Sequence, residues 1–204
     1  MSQIKLKHSG GNSVIIAAPD SNPASDVTFR LPNADGSAGQ FMKTDGSGNL
    51  SFDAAGGGIT EADSWRLTTA YEGGASNLTA NWERSDDYAS HIGTGMTESS
   101  GVFTFPSTGV YYLSATTIAN ADNARTYVGL AIKDNATGTL VAEGYDSTSG
   151  NGYYTNITCS CFYDVTDTST RKILLRVETT STTEWKGSST RDLTSIKFIR
   201  LGDT

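Results

Sequence analysis

Three observations predict an all-β chain. Apolar and polar residues alternate with period two in short runs, most clearly over 153–165, the spacing that places every second side chain on one face of a strand. Between the runs stand turn clusters such as Asn33-Ala-Asp-Gly36, Asp45-Gly-Ser-Gly-Asn49 and Ser149-Gly-Asn-Gly152, where Gly supplies positive φ and Asn or Asp bond to their own backbone. No long stretch sustains a 3.6-residue period, and with apolar residues at 36% of 204 and 22 glycines the mixture suits many turns rather than helices.

The run Ala54-Ala-Gly-Gly-Gly58 has no side chains to pack and reads as a hinge. It separates residues 1–58 from residues 59–204. The first segment is too short and polar to enclose a convincing core alone. Its strand-like pieces are Ile4 and Leu6 alternating with Lys5 and Lys7, the apolar Val14-Ile-Ile16, Val27, Phe29 and Leu31 alternating with Thr28 and Arg30, and the closing pair Leu50 and Phe52. The second segment has the size of one β-sandwich, with strands predicted at 64–71, 76–84, 101–106, 109–119, 125–133, 138–145, 153–165, 171–179 and 193–201. In 153–165, Ile157, Cys159, Cys161, Tyr163 and Val165 share one face. In 109–119 both faces carry apolar or aromatic groups, Val110 and Tyr112 against Tyr111, Leu113 and Ala115, so both require cover. Phe103, Phe105, Tyr111, Tyr112 and Leu113 are therefore expected to pack in the core or against a second copy. That many strands at this spacing predict two packed antiparallel sheets.

A net charge of −7 excludes a general nucleic-acid binder, which needs a basic footprint, and docking onto an anionic membrane. No run approaches the roughly 20 apolar residues of a membrane span. The opening Met1-Ser-Gln-Ile-Lys-Leu-Lys lacks the apolar stretch of a signal peptide, so synthesis in a cytoplasm without a signal peptide is expected. Cys159 and Cys161 share a strand face, where a mutual disulfide would strain the geometry; buried free thiols are expected. There is no nucleophile elbow, phosphate loop, dinucleotide fingerprint or zinc-protease motif, and the two histidines, His8 and His91, stand apart in polar stretches. The chain is expected not to be an enzyme and to need no cofactor. The weak metal candidates are Asp86 and Asp87, with Asp122, Asp146 and Asp203 near strand ends. Carboxylates with carbonyls can hold Ca²⁺, but no EF-hand spacing is present. Binding candidates are aromatics expected on loops: Tyr145, Tyr153 and Tyr154 around Asp146–Gly152, and Trp185 in Thr183-Glu-Trp-Lys-Gly187. Such rings add apolar area beside hydroxyls and amides, which suits carbohydrate or protein surfaces; the alternative is that they pack inside the sandwich.

Gly101, Phe103, Pro106, Gly109 and Tyr111 resemble the G-x-F-x-x-P-x-x-G-x-Y-x-F signature of the C1q/TNF-like family, with Leu113 in place of the usual aromatic. The resemblance covers roughly 60–204 and implies a homotrimeric jelly-roll recognition head. Leu31-Pro-Asn-Ala-Asp-Gly36 through Gly46-Ser-Gly-Asn-Leu-Ser-Phe52 resembles a module frequent in bacteriophage fibre and tail-associated proteins, with Met42 and Phe52 replacing its usual Leu and Trp. Together these imply a phage virion fibre protein that is located in the virion. Residues 1–58 would attach it to other virion proteins, and the head would adhere to a host surface carbohydrate or protein. The alternative is a purely structural capsid or neck decoration. Neither reading involves nucleic acid or membrane insertion.

Overall fold

The computed structural model describes residues 3–17, 19–54, 58–85, 91–150 and 152–204. No helix occurs among them. The chain forms two compact units, Met1–Gly57 and Gly58–Thr204.

The first unit holds two hairpins. Strands β1 (Gln3–Lys7) and β2 (Ser13–Ala17) pair antiparallel, with Lys5 opposite Ile15. Strands β3 (Gln40–Thr44) and β4 (Leu50–Ala54) do the same, with Met42 opposite Phe52. Their loop is fixed by Asp45, whose carboxylate accepts the Ser47 amide at 2.7 Å and the Asn49 side-chain amide at 2.6 Å. The piece 27–31 is not a strand; only Arg30 bridges, in parallel, to Asn49. A single alternating run cannot form a ladder without a neighbour to take its backbone groups. No described apolar residue of this unit is buried: Phe29 is 64% exposed and Leu31 74%.

The second unit is a sandwich of two antiparallel sheets. Its strands are β5 (Ala62–Leu67), β6 (Tyr71–Gly73), β7 (Ser76–Asn77), β8 (Trp82–Arg84), β9 (Thr97–Ser99), β10 (Val102–Thr104), β11 (Gly109–Ala121), β12 (Asn123–Asp134), β13 (Leu140–Gly150), β14 (Tyr154–Val165), β15 (Lys172–Thr179), β16 (Thr183–Trp185) and β17 (Ser195–Gly202). In the first sheet β11 is central: β14 flanks it on one side, and β17 followed by β5 and β8 on the other, while β16, carrying β6, continues beside the far end of β11. The second sheet runs β13-β12-β15-β10-β9, with β7 also on β15.

Strict alternation along β11 turns Tyr111, Leu113, Ala115, Thr117 and Ala119 inward, all fully buried, and leaves the alternate residues half-buried on the outer face. The core is aromatic at one end. Phe103 meets Trp82 at 5.3 Å, Phe198 at 5.4 Å and Trp65 at 5.7 Å between ring centroids, and Phe105 meets Tyr111 at 4.7 Å. Leu130, Ile132, Ile173, Leu175 and Val177 fill the rest from the second sheet. Each such side chain contributes about 1.5–3 kcal/mol on burial. Phe103, Phe105, Tyr111 and Leu113 are thus core residues, as one arm of the sequence reading expected.

The two motif glycines have structural causes. Gly101 has φ +80° and lies so close to Leu78 that a Cβ would meet its carbonyl oxygen at 2.2 Å. Gly109 has φ +140°, and a Cβ there would meet the Gly202 carbonyl oxygen at 2.5 Å. The Tyr111 hydroxyl donates to the Ser107 carbonyl at 3.0 Å and fixes the corner at Pro106.

Several elements depart from the sequence expectation. The strand predicted at 76–84 divides into β7 and β8: Leu78 stays beside β15, donating its amide to the Leu175 carbonyl, and Asn81 then turns the chain at φ 63° so that β8 pairs with β5 in the other sheet. The loop expected after 145 does not exist there: β13 runs on to Gly150, and Gly150 with φ +130° and Gly152 with φ +84° reverse the chain into β14. The loop expected at 183–187 is strand β16, which pairs with β11 and β6.

Candidate functional site: the two outer faces of the sandwich

The outer face of the first sheet changes character along its strands. At one end, Tyr112 stands opposite Phe162 on β14 and opposite Ile199 on β17, and the Tyr112 and Phe162 rings lie 5.8 Å apart. Phe162 is 72% exposed although the sheet beneath it is complete. Val110 and the exposed Leu201 belong to the same end. Further along, the side chains are hydroxyls and amides: Ser114 opposite Ser160, and Thr116 opposite Thr158, with the Thr116 hydroxyl donating to the Asn156 side-chain Oδ1 at 3.2 Å. Tyr112, expected in the core or at a seam with another copy, lies on this outer face.

The predicted binding aromatics do not form one patch. Tyr145 lies on β13 and projects from the outer face of the second sheet, opposite Gly129. Tyr154 begins β14 in the first sheet, with the Lys186 ammonium 5.3 Å from its ring centre, and the exposed Tyr153 precedes it in the turn. Trp185 corrects the sequence reading: it is 0% exposed. Its strand pairs with β11, where the small Ala119 stands opposite and leaves room for the indole, so its large apolar surface is enclosed rather than offered.

Asp86 and Asp87 lie outside the described residues. Asp122 is engaged by Arg125, Asp203 by Arg200, and Asp146 accepts the Ser147 amide at 2.7 Å. Among the described residues no group of three or more His, Cys, Asp or Glu is arranged to hold a metal ion. Cys159 and Cys161 are free. Burial, and secondarily Cys161, pushes the Cys159 thiol up to about 12, which keeps it protonated near neutral pH.

Two buried carboxylates escaped the sequence reading. Asp63 accepts the Trp65 indole N–H at 3.0 Å, the Arg84 guanidinium at 3.0 Å and the Met96 amide at 2.7 Å. It locks β5 to β8 and to the segment entering β9. Asp134 accepts the Tyr163 hydroxyl, the Thr137 amide at 2.8 Å and Arg171 at 3.3 Å. Burial alone would raise its pKa; the hydrogen bonds from Tyr163, Thr137 and Arg171 outweigh that and hold the carboxyl down to about 2. The Tyr163 hydroxyl is raised, by burial first and by Asp134 second. Both groups hold loops and present no reacting atom to solvent.

The sequence matches no family model and no curated protein. Its fold does match solved structures. Murine APRIL at pH 5.0 superposes with a TM-score of 0.52 at 12% identity, over 69% of this chain and 98% of that one. Eiger TNF from S. frugiperda superposes with 0.53 at 10% identity, over 72% of this chain and 96% of that one. At this identity the likeness establishes the fold, a TNF-like jelly roll, as the glycine–proline–glycine corner led us to expect.

Proposed function

We propose that this chain is a non-enzymatic homotrimeric fibre protein of a phage virion. Residues 1–58 attach it to other virion proteins, and residues 59–204 form a head that adheres to a host surface. The observation that carries the reading is the apolar end of the first sheet's outer face, where Tyr112, Phe162 and Ile199 lie together on a domain whose own core is already closed. An apolar cluster of this kind on a complete domain marks an association surface. A second copy of the same face, repeated about a threefold axis, covers it without any further chain. The uncovered apolar residues of the first unit supply a second site of assembly. The phage assignment is supported by the likeness of residues 31–52 to fibre modules.

Function then follows from multivalency. Three weak sites on one rigid body bind a repetitive surface with far higher avidity than one, through effective concentration alone. Binding of the purified protein to host cells tests adhesion: retention that falls when the protein is made monomeric supports it. Absence of binding by a protein that still occupies the particle would leave it a capsid or neck decoration.

A further inference from the structure

The outer face of the second sheet carries an arrangement that folding alone does not require. On β12, Gly129 stands opposite Tyr145 of β13 and Glu178 of β15, and Ala131 opposite Glu143 and Arg176. The two small residues on the middle strand are buried, Ala131 at 0% exposure, beneath a face formed by Tyr145 and Glu143 on one side and Glu178 and Arg176 on the other. The backbone of Gly129 is not in the left-handed region, so its conformation does not call for glycine. The Tyr145 ring does: a Cβ on Gly129 would lie 2.4 Å from the ring's Cε1 and 3.1 Å from the Glu178 Cβ. Tyr127 meets Tyr145 edge to face at 5.9 Å and 77°. The Tyr145 hydroxyl donates to Glu143 at 2.8 Å, and the Arg176 guanidinium donates to Glu178. The rings are therefore held in place yet remain open to solvent, Tyr145 by 52% and Tyr127 by 38%.

We propose that this face, with its two seated and solvent-open rings, is a binding site for a neutral pyranose. A sugar ring offers an apolar C–H face, which aromatic side chains cover, and hydroxyls that both donate and accept. Glu143 and Glu178 accept hydrogen bonds and Arg176 donates them, so both halves of each hydroxyl find partners. Charge selects among ligands. Two carboxylates against one guanidinium leave this face slightly negative on a chain of net charge −7, which disfavours uronates, sulfates and phosphates. An ammonium ligand meets the Arg176 charge and leaves its donors unused. Anchoring the rings on strands rather than loops holds the geometry before the ligand arrives. The site deepens the adhesive reading and rests on it for its biological use.

The test is ligand-observed and tyrosine-ring NMR on the full chain, with cellobiose, lactose and maltose as neutral probes and galacturonate oligomers and tetramethylammonium as charged ones. At least one neutral disaccharide is expected to shift the Tyr127 and Tyr145 ring signals. Tyr145→Ala is expected to weaken that binding about tenfold or more, the loss that follows from removing roughly 1.4 kcal/mol of contact. Tyr145→Phe, which keeps the ring and releases Glu143, is expected to weaken it less. Gly129→Ala, which displaces the ring from its seat, reports the same loss as Tyr145→Ala, with the thermal midpoint showing that the variant is folded. The proposal is overturned if no neutral probe shifts these rings, if a charged probe binds more tightly than every neutral one, or if Tyr145→Ala binds as the parent does. A trimer that ignores all neutral sugars would remove this site while leaving the assembly reading intact; a monomer that binds them would do the reverse.

Discussion

In residues 58–204, Phe103, Phe105 and Trp185 are enclosed between two sheets; in residues 3–54, Ile4, Phe29 and Leu31 face solvent. The difference is one of geometry, since both units use antiparallel strands and similar turn residues. A hairpin has one neighbour per strand and nothing to close over its apolar face, so two hairpins cannot enclose a core. Thirteen strands in two sheets can, because each inward side chain meets others from the opposite layer. The sandwich therefore encloses a core of its own, and the described residues of the first unit do not.

The largest expected effect comes from separating the units. Residues 58–204 alone are expected to unfold in one cooperative thermal transition, whereas residues 1–57 alone give none; a cooperative melt of the short piece as a monomer would mean that it encloses a core after all. Next in size is a pair of truncations. Phe103→Ala removes a fully buried ring with three aromatic neighbours and is expected to cost about 3–5 kcal/mol in denaturant unfolding of the sandwich. Phe29→Ala is expected to leave that transition within about 0.5 kcal/mol, as exposed substitutions do. An equal loss from both would erase the distinction between the units.

A smaller effect sharpens the account of how the sandwich holds its loops. The Asp134 carboxyl, held down to about 2, lies below its unfolded value near 4. The folded state thus favours its ionised form. The resulting stability is fully present above about pH 4 and is lost as pH falls through about 2. Asp134→Asn is expected to cost about 1–2 kcal/mol near neutral pH, because Tyr163 and Arg171 lose a charged acceptor, and to flatten the decline of stability between about pH 4 and pH 2. An unchanged acid limb in calorimetric melts would assign the loop to backbone bonds alone.

What the sequence made legible follows from range. The faces of β11 and β14 are written in period two, and Gly101 and Gly109 announce a corner that the backbone then requires. These features are local. Strand β16 is three residues long and has no pattern of its own; Trp185 is buried because Ala119, 66 positions earlier, makes room for it. Asp134 meets Tyr163 and Arg171 across separations of 29 and 37 residues, which no local spacing encodes. Tyr145 was recognisable as an exposed aromatic near a turn, but its seat on Gly129 depends on the register of two strands. Tyr153 and Tyr154 look equivalent to it in sequence, and the chain reversal sends Tyr154 to the other sheet.

The homotrimer proposed above makes the apolar end of the first sheet's outer face a surface between copies of this chain. Native mass measurement of the full chain and of Phe162→Asp tests it most directly. The expected result is a species of three times the 21.5 kDa chain mass for the parent and a single folded chain for the variant. A parent that stays at one chain mass, or a variant that assembles as the parent does, contradicts it.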